Sequence, residues 1–229
     1  MVQNIDDYLN EVKKVLKAEA NPEDAIHQKS YMRDKFEFFG IKANPRRKAT
    51  REFMKNDGRP DYSNLVVVVK RLWELPEREF QYFGQELVEQ YRDDYDREII
   101  GLLEDMIINK SWWDTVDMIA KRLIGSYFLK FSDQRSDYLS KWISSDNIWL
   151  QRTAILFQLG YKENTDIELL FEIINQLKGM DEFFIQKAIG WALREYSKVD
   201  GAIIIEFINN NQMSALAERE ALKRIKAKN

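Results

Sequence analysis

The chain has 229 residues, which fits one large domain or two small ones, and with 32% charged and 45% hydrophobic residues and a formal net charge of −3 its composition suits a soluble globular protein. It has no cysteine and a single histidine, His27, which excludes a disulfide framework, a thiolate metal site and a histidine-rich metal site and leaves open only a carboxylate magnesium site, to which no spacing points. No apolar run approaches the length of a membrane span, and the amphipathic, acidic start MVQNIDDYLNEV does not resemble a signal peptide, so the expected location is cytoplasmic.

Only four prolines and nine glycines are present, and the apolar spacing is helical almost throughout. Ile5, Leu9, Val12 and Leu16, with Tyr8 and Val15, mark a first helix. Asn21-Pro22 reads as an N-cap followed by a first-turn proline, opening a second helix through Phe36, and Gly40 ends that unit. Asn44-Pro45 repeats the start signal for a third helix over 45–55, and Asp57-Gly58-Arg59-Pro60 is a loop. Ser63 caps the next helix, which carries Leu65 and the four valines 66–69. A valine run favours a strand, but Leu65, Val69, Leu72 and Trp73 keep helical spacing and no partner strand is evident. Pro76 opens a helix through about Arg92. Further helices are expected at 96–109, 111–124, 136–144, 147–159, 166–178, 182–197, 201–210 and 214–225.

Helix pairs thus recur roughly every 35–40 residues, the rhythm of a helical-repeat solenoid, whose stacked array would offer a concave surface. A compact bundle is the competing architecture. No linker divides the chain, so residues 1–229 are read as one all-α domain.

Two stretches are basic despite the acidic total. One, from Lys42 to Arg59, holds Lys42, Arg46, Arg47, Lys48, Arg51, Lys55 and Arg59 against Glu52 and Asp57. The other holds Arg219, Lys223, Arg224, Lys226 and Lys228 against Glu218 and Glu220. Each is either a solvated face or a local surface for a polyanion.

Six tryptophans occur. In SWWDTVD (111–117), Trp113 and Asp117 are four apart and share a helix face, whereas Trp112 lies about 100° round the helix and is assigned to packing. Lys187, Trp191 and Arg194 share a face of a later helix, and Trp149 and Arg152 are three apart. An aromatic face beside a carboxylate or guanidinium is a poor core motif, because an unpaired buried charge costs several kcal/mol. It suits a nucleic-acid groove. The alternative is that Asp117 and Arg152 pair as a structural bridge between helices. Spacing leaves both open.

SWWDTVD (111–117), SDNIWLQRTAILFQL (145–159), EFFIQKAIGWALREYSK (182–198), KSYMRDKFEFFGI (29–41) and LWELPEREFQ (72–81) closely resemble the AlkD family of bacterial alkylpurine DNA glycosylases, in the family's order and over most of the chain. The first helix matches least. The resemblance implies a HEAT-like solenoid with a concave, basic groove for duplex DNA carrying alkylated purines, no cofactor or metal, and a monomer that meets its substrate at the nucleoid. It places the family's catalytic set on Asp117, Arg152, Trp113 and Trp191, and a tyrosine near the DNA on Tyr31. Arg46, Arg47, Lys187 and Arg194 are the candidate cations beside it.

The family's substrates are cationic N3- and N7-alkylated purines, so the base already leaves readily. What such a reaction lacks is stabilisation of positive charge on the deoxyribose, which a carboxylate supplies electrostatically. The resemblance also implies that the lesion is not drawn into a deep pocket, unlike in base-flipping glycosylases. Two other readings compete. A non-catalytic helical-repeat protein binding DNA or another protein has no need of a carboxylate facing phosphates. An RNA-binding repeat would carry a similar residue set in every repeat, and none is seen.

Overall fold

The computed structural model describes residues 4–56 and 58–227. Residues 1–3 of the amphipathic start, Asp57 of the expected loop, and Lys228 of the basic tail with Asn229 lie outside the described residues. Among those described, the chain is all-α, 74% helical with no strand, and its helices pack as in a helical-repeat fold. No helix among the described residues is long and apolar enough to cross a membrane. The contacts divide the chain into two compact units, Met1–Leu102 and Leu103–Asn229.

The first unit contains α1 (Ile5–Ala18), α2 (Pro22–Tyr31), α3 (Ala43–Asn56), α4 (Tyr62–Glu74) and α5 (Arg78–Glu89), then a short 3-10 turn, Arg92–Asp94. Asn4 and Asn21 cap α1 and α2 by accepting hydrogen bonds from first-turn N–H groups, each contribution worth about 1 kcal/mol. The apolar stripe of α1 is buried at Tyr8, Leu9, Val12 and Leu16, and Tyr8 meets the rings of Phe53 at 5.4 Å and Phe83 at 6.5 Å. The valine run is helical: Leu65, Val68, Val69, Leu72 and Trp73 of α4 are buried, while Val66 and Val67 face solvent. Period 3.6 therefore outweighs β-propensity here, because burial is available on one helix face only.

The boundaries of the second and third helices differ from expectation. The second helix stops at Tyr31, not Phe36, because Arg33 and Asp34 take positive φ (56° each), which ends the helical hydrogen-bond ladder. Helix α3 begins at Ala43, one residue before the expected cap, Asn44. Between them the loop 37–41 is pinned. The Asn21 N–H donates to Phe39 O at 2.9 Å. The buried Glu79 carboxylate accepts the N–H groups of Phe39, Gly40 and Ile41 at 3.1, 3.0 and 3.2 Å. Gly40 has φ 87°, and a Cβ there would lie 1.9 Å from Asn21 O, so only glycine fits.

Helix α6 (Ile99–Ile108) runs across the division between the units. In the second unit a continuous helix runs from α7 (Trp113–Met118) through a π-helical turn (Ile119–Ile124) into α8 (Gly125–Lys130). There follow α9 (Arg135–Ile143), α10 (Ile148–Leu156), α11 (Ile167–Leu177), α12 (Phe183–Tyr196), α13 (Gly201–Asn210) and α14 (Ala215–Lys226). Asn147, Asp166, Asp200 and Ser214 cap α10, α11, α13 and α14. Helices α12 and α14 approach closely at Gly190, where a Cβ would lie 2.4 Å from Glu220 Cβ and 2.7 Å from Ala217 O.

The repeat has a sharper signature than helix rhythm. Helices α3, α5, α7, α10 and α12 start at Ala43, Arg78, Trp113, Ile148 and Phe183, each 35 residues after the last. The fourth residue is a glutamine in three of them, and each glutamine brackets the end of the preceding helix. Gln81 Nε2 donates to Leu72 O and Leu75 O at 3.0 and 3.1 Å. Gln151 donates to Ile143 O and Ser145 O at 3.3 and 2.7 Å, and Gln186 to Lys178 O and Met180 O at 3.0 and 2.7 Å. Carbonyls orphaned at a helix C-terminus are thereby satisfied inside the protein.

Candidate active site

The fifth residue of these helices follows the bracket: Arg47, Tyr82, Asp117, Arg152 and Lys187. In the second unit two of them meet. Arg152 Nε donates to Asp117 Oδ1 at 2.7 Å and Nη2 donates to Oδ2 at 2.9 Å, a bidentate clasp between α10 and α7. Arg152 Nη1 donates to the Phe184 carbonyl in the first turn of α12. One guanidinium thus ties three successive helices of the repeat. Its side chain is only 5% exposed, and that of Asp117 is 16% exposed. Burial pushes the Asp117 carboxyl above its ordinary value, and the hydrogen bonds and charge of Arg152 pull it back down.

The clasp sits beside an aromatic wall. Trp112 is buried, as expected for packing, and meets Trp149 at 5.6 Å and Phe184 at 5.0 Å. Trp149 and Phe184 meet each other at 5.0 Å. Phe183, at the start of α12, packs on Phe184 at 5.3 Å yet is 56% exposed. Asn147 supports the wall from below, capping α10 through the Trp149 and Leu150 N–H groups at 2.9 and 3.3 Å. The π-helical turn starts two residues after Asp117; such turns are frequent at functional sites.

The other sequence candidates fall into three groups. Trp113 opens α7 one turn before Asp117, half-buried. Trp191 is half-buried two turns beyond Phe184 on α12, and among the described residues it makes no ring contact with the wall. Lys187 and Arg194 converge on the carboxylate of Glu220 from α14, at 3.1 and 2.9 Å, with Lys223 as a third cation. Glu220 is 6% exposed at its side chain. Its pKa is lowered to about 2, first by the hydrogen bond from Lys223, against the opposing effect of burial, and then by Lys187.

In the first unit Tyr31 ends α2 and is exposed. Arg46 is buried: it pairs with Glu86 at 2.9 Å and lies over the Tyr82 ring at 4.7 Å. Such burial removes it from reach of an external phosphate, so it holds α3 onto α5. Its neighbour Arg47 is 58% exposed, 3.7 Å from the same Glu86. Among the described residues no three His, Asp or Glu side chains come together to hold a metal ion.

Sequence reasoning passed over Phe183, Phe184, Glu86 and Glu220. The two phenylalanines stood inside a quoted segment with nothing to separate them from core. The glutamates carried little local signal, because apart from Lys223, three residues from Glu220, the partners that matter are 26 to 40 residues away. The 35-residue recurrence of Gln151 and Gln186 was visible in the sequence and would have set the register that aligns Asp117 with Arg152.

Residues 12–225 match the family of DNA alkylation repair enzymes. Among solved structures, a predicted DNA alkylation repair enzyme from Enterococcus faecalis is similar at 32% identity and a TM-score of 0.82, over 90% of this chain and 96% of that one. No curated protein matches the sequence.

Proposed function

Because the chain belongs to the DNA alkylation repair enzyme family, we propose that it is a glycosylase that releases cationic N3- and N7-alkylated purines from duplex DNA, acting as a monomer. The observation that carries this reading is the Asp117–Arg152 clasp: a carboxylate held rigid by a buried guanidinium, still partly open to solvent, beside an aromatic wall.

In the proposed reaction the bond between C1′ and the purine nitrogen breaks, and its electron pair leaves with the base. The alkylated base arrives cationic and departs neutral. Positive charge develops on the deoxyribose, and the Asp117 carboxylate stabilises it. A water molecule positioned by Asp117 adds its oxygen to C1′ and gives up a proton, leaving an abasic site. Arg152, as buried as Arg46, fixes Asp117 from within the fold. Trp113 and Trp191 offer aromatic faces to the cationic lesion and sugar. Tyr31 and Arg47 contact the DNA, while Lys187 and Arg194, held by Glu220, and the buried Arg46 support the surface from within the fold. No deep base pocket is required, so bulky adducts are tolerated.

The deciding assay is release of 7-methylguanine from duplex DNA by the purified protein. Release that depends on Asp117 supports the reading, and no release by wild type overturns it. A second reading has its own observation: Asp117 and Arg152 satisfy one another, as in a purely structural clasp. A non-catalytic repeat protein would then bind duplex DNA and release no base.

A further inference from the structure

Helix α12 carries two cations, Lys187 and Arg194, and both stand one turn from Trp191 on the same face. Residues three and four apart on a helix are neighbours, and helical side chains lean toward the N-terminus. Arg194 is therefore placed to lie back over Trp191, and Trp191 to lie over Lys187. Guanidinium and ammonium groups are attracted to an indole face. Local preference alone would cover the ring from both ends.

The fold prevents this. Both cations turn instead to Glu220 of α14, Lys187 at 3.1 Å and Arg194 at 2.9 Å. Among the described residues no cation lies over the Trp191 ring, which stays half-buried. The direction of the pull follows from where the helices cross. Helix α14 meets α12 at Gly190, where a Cβ would lie 2.4 Å from Glu220 Cβ. At about 100° per residue, Gly190 lies about 60° round the axis from Lys187 on one side, and Trp191 about 40° on the other. The acid thus draws both cations away from the indole.

The choice of partners adds an independent argument. Lys223, three residues along α14, already donates to Glu220 Oε1 at 2.5 Å, and one cation neutralises one carboxylate. A second tie between the helices exists without Glu220, since Arg224 Nη1 donates to Ser197 O at 2.9 Å. Neither neutrality nor docking of α14 calls for Lys187 and Arg194 together. What those two share is Trp191 as a neighbour.

We propose that Glu220 is a positioning residue that holds Lys187 and Arg194 off the Trp191 ring and so keeps that aromatic face free for a cationic guest, the alkylated base or the sugar cation. This rests on the glycosylase reading above. Without the carboxylate, the chain's own cations compete with the guest for the ring.

The test measures single-turnover release of 7-methylguanine from duplex DNA at saturating enzyme, so that differences in DNA affinity drop out. Proton NMR of the Lys187 ε-methylene group accompanies it, because protons over an aromatic ring move upfield. The proteins compared are wild type, Glu220→Gln, the triple variant Glu220→Gln/Lys187→Gln/Arg194→Gln, and the control Arg224→Gln. In Glu220→Gln the Lys187 signal should move upfield from its wild-type position, and release should slow ~3- to 30-fold, the range given by one displaced cation–π contact. The triple variant lacks the same ion pairs but has no cation left to stack, so it should recover most of the lost rate. A merely structural role for Glu220 predicts no recovery. The control should keep the wild-type rate. A wild-type rate or an unmoved Lys187 signal in Glu220→Gln, a triple variant no faster than Glu220→Gln, or an equal loss in the control overturns the proposal and leaves the glycosylase reading standing. Wild type that releases no base overturns both.

Discussion

Replacing Asp117 by Asn isolates the carboxylate's charge at almost constant volume. In the wild type both carboxylate oxygens accept from Arg152, at 2.7 and 2.9 Å, while the third arm of the guanidinium donates to Phe184 O. An asparagine keeps one acceptor and turns the other oxygen into an amide donor. Whichever way it is oriented, one guanidinium N–H then faces another N–H. The lost charge-assisted bond is worth ~1.5–3 kcal/mol, and breaking a buried ion pair costs ~3–5 kcal/mol in all. The surviving bond and the Phe184 carbonyl put this case near the lower end, ~3 kcal/mol, or a Tm loss of ~6–12 °C for a chain of this size. A domain of ordinary stability stays folded at 25 °C after such a loss. The chemical step should lose more. Removing one preorganised group that stabilises transition-state charge slows a reaction ~100- to 1,000-fold. The assay is single-turnover release of 7-methylguanine at 25 °C, with a circular-dichroism melt of the same sample. If Asp117→Asn melts earlier as expected yet releases base within about threefold of wild type, the clasp is structural and its catalytic role is refuted.

Two further outcomes follow from the geometry. The proposed reaction needs Asp117 ionised, and burial raises its pKa, so on acidification the rate should fall at a pH above the usual carboxylate value of ~4. Arg152→Gln removes the opposing downward pull and should move that acid limb higher still; a pH–rate profile flat down to pH 4 contradicts both statements. Gly190→Ala forces a Cβ to within 2.4 Å of Glu220 Cβ and 2.7 Å of a backbone oxygen that cannot yield, an overpacking cost of ~2 kcal/mol. Its Tm should drop by roughly 4–8 °C, and a Tm within about a degree of wild type would show that α14 shifts freely.

Local signals carried most of the secondary structure. Asn21-Pro22 marked the start of α2, Asn147 the start of α10, and apolar spacing kept Val66–Val69 in a helix, because capping and one-sided burial act within a turn or two. Phe36 was placed in α2 because its spacing fits. What ends the helix is a pair of positive-φ residues, Arg33 and Asp34, in the turn leading to the loop that Glu79 grips from 38 to 40 residues away. The resemblance put Asp117 and Arg152 into one site, and spacing alone left their pairing undecided.

The sequence by itself therefore determined the helices, their repeating rhythm and the residue types available for chemistry. Tertiary structure decided which charges are spent within the fold and which remain. Arg46 and Arg47 are adjacent and chemically alike, yet one is buried on Glu86 and the other is mostly exposed. Lys187 and Arg194, which read as open cations, are gathered by Glu220, while Lys48, Arg51 and Lys55 face solvent with no such acid among the described residues. The physical reason is distance along the chain. An ion pair forms where two helices some 35 residues apart come into register, and a short window of sequence holds only one of the two partners.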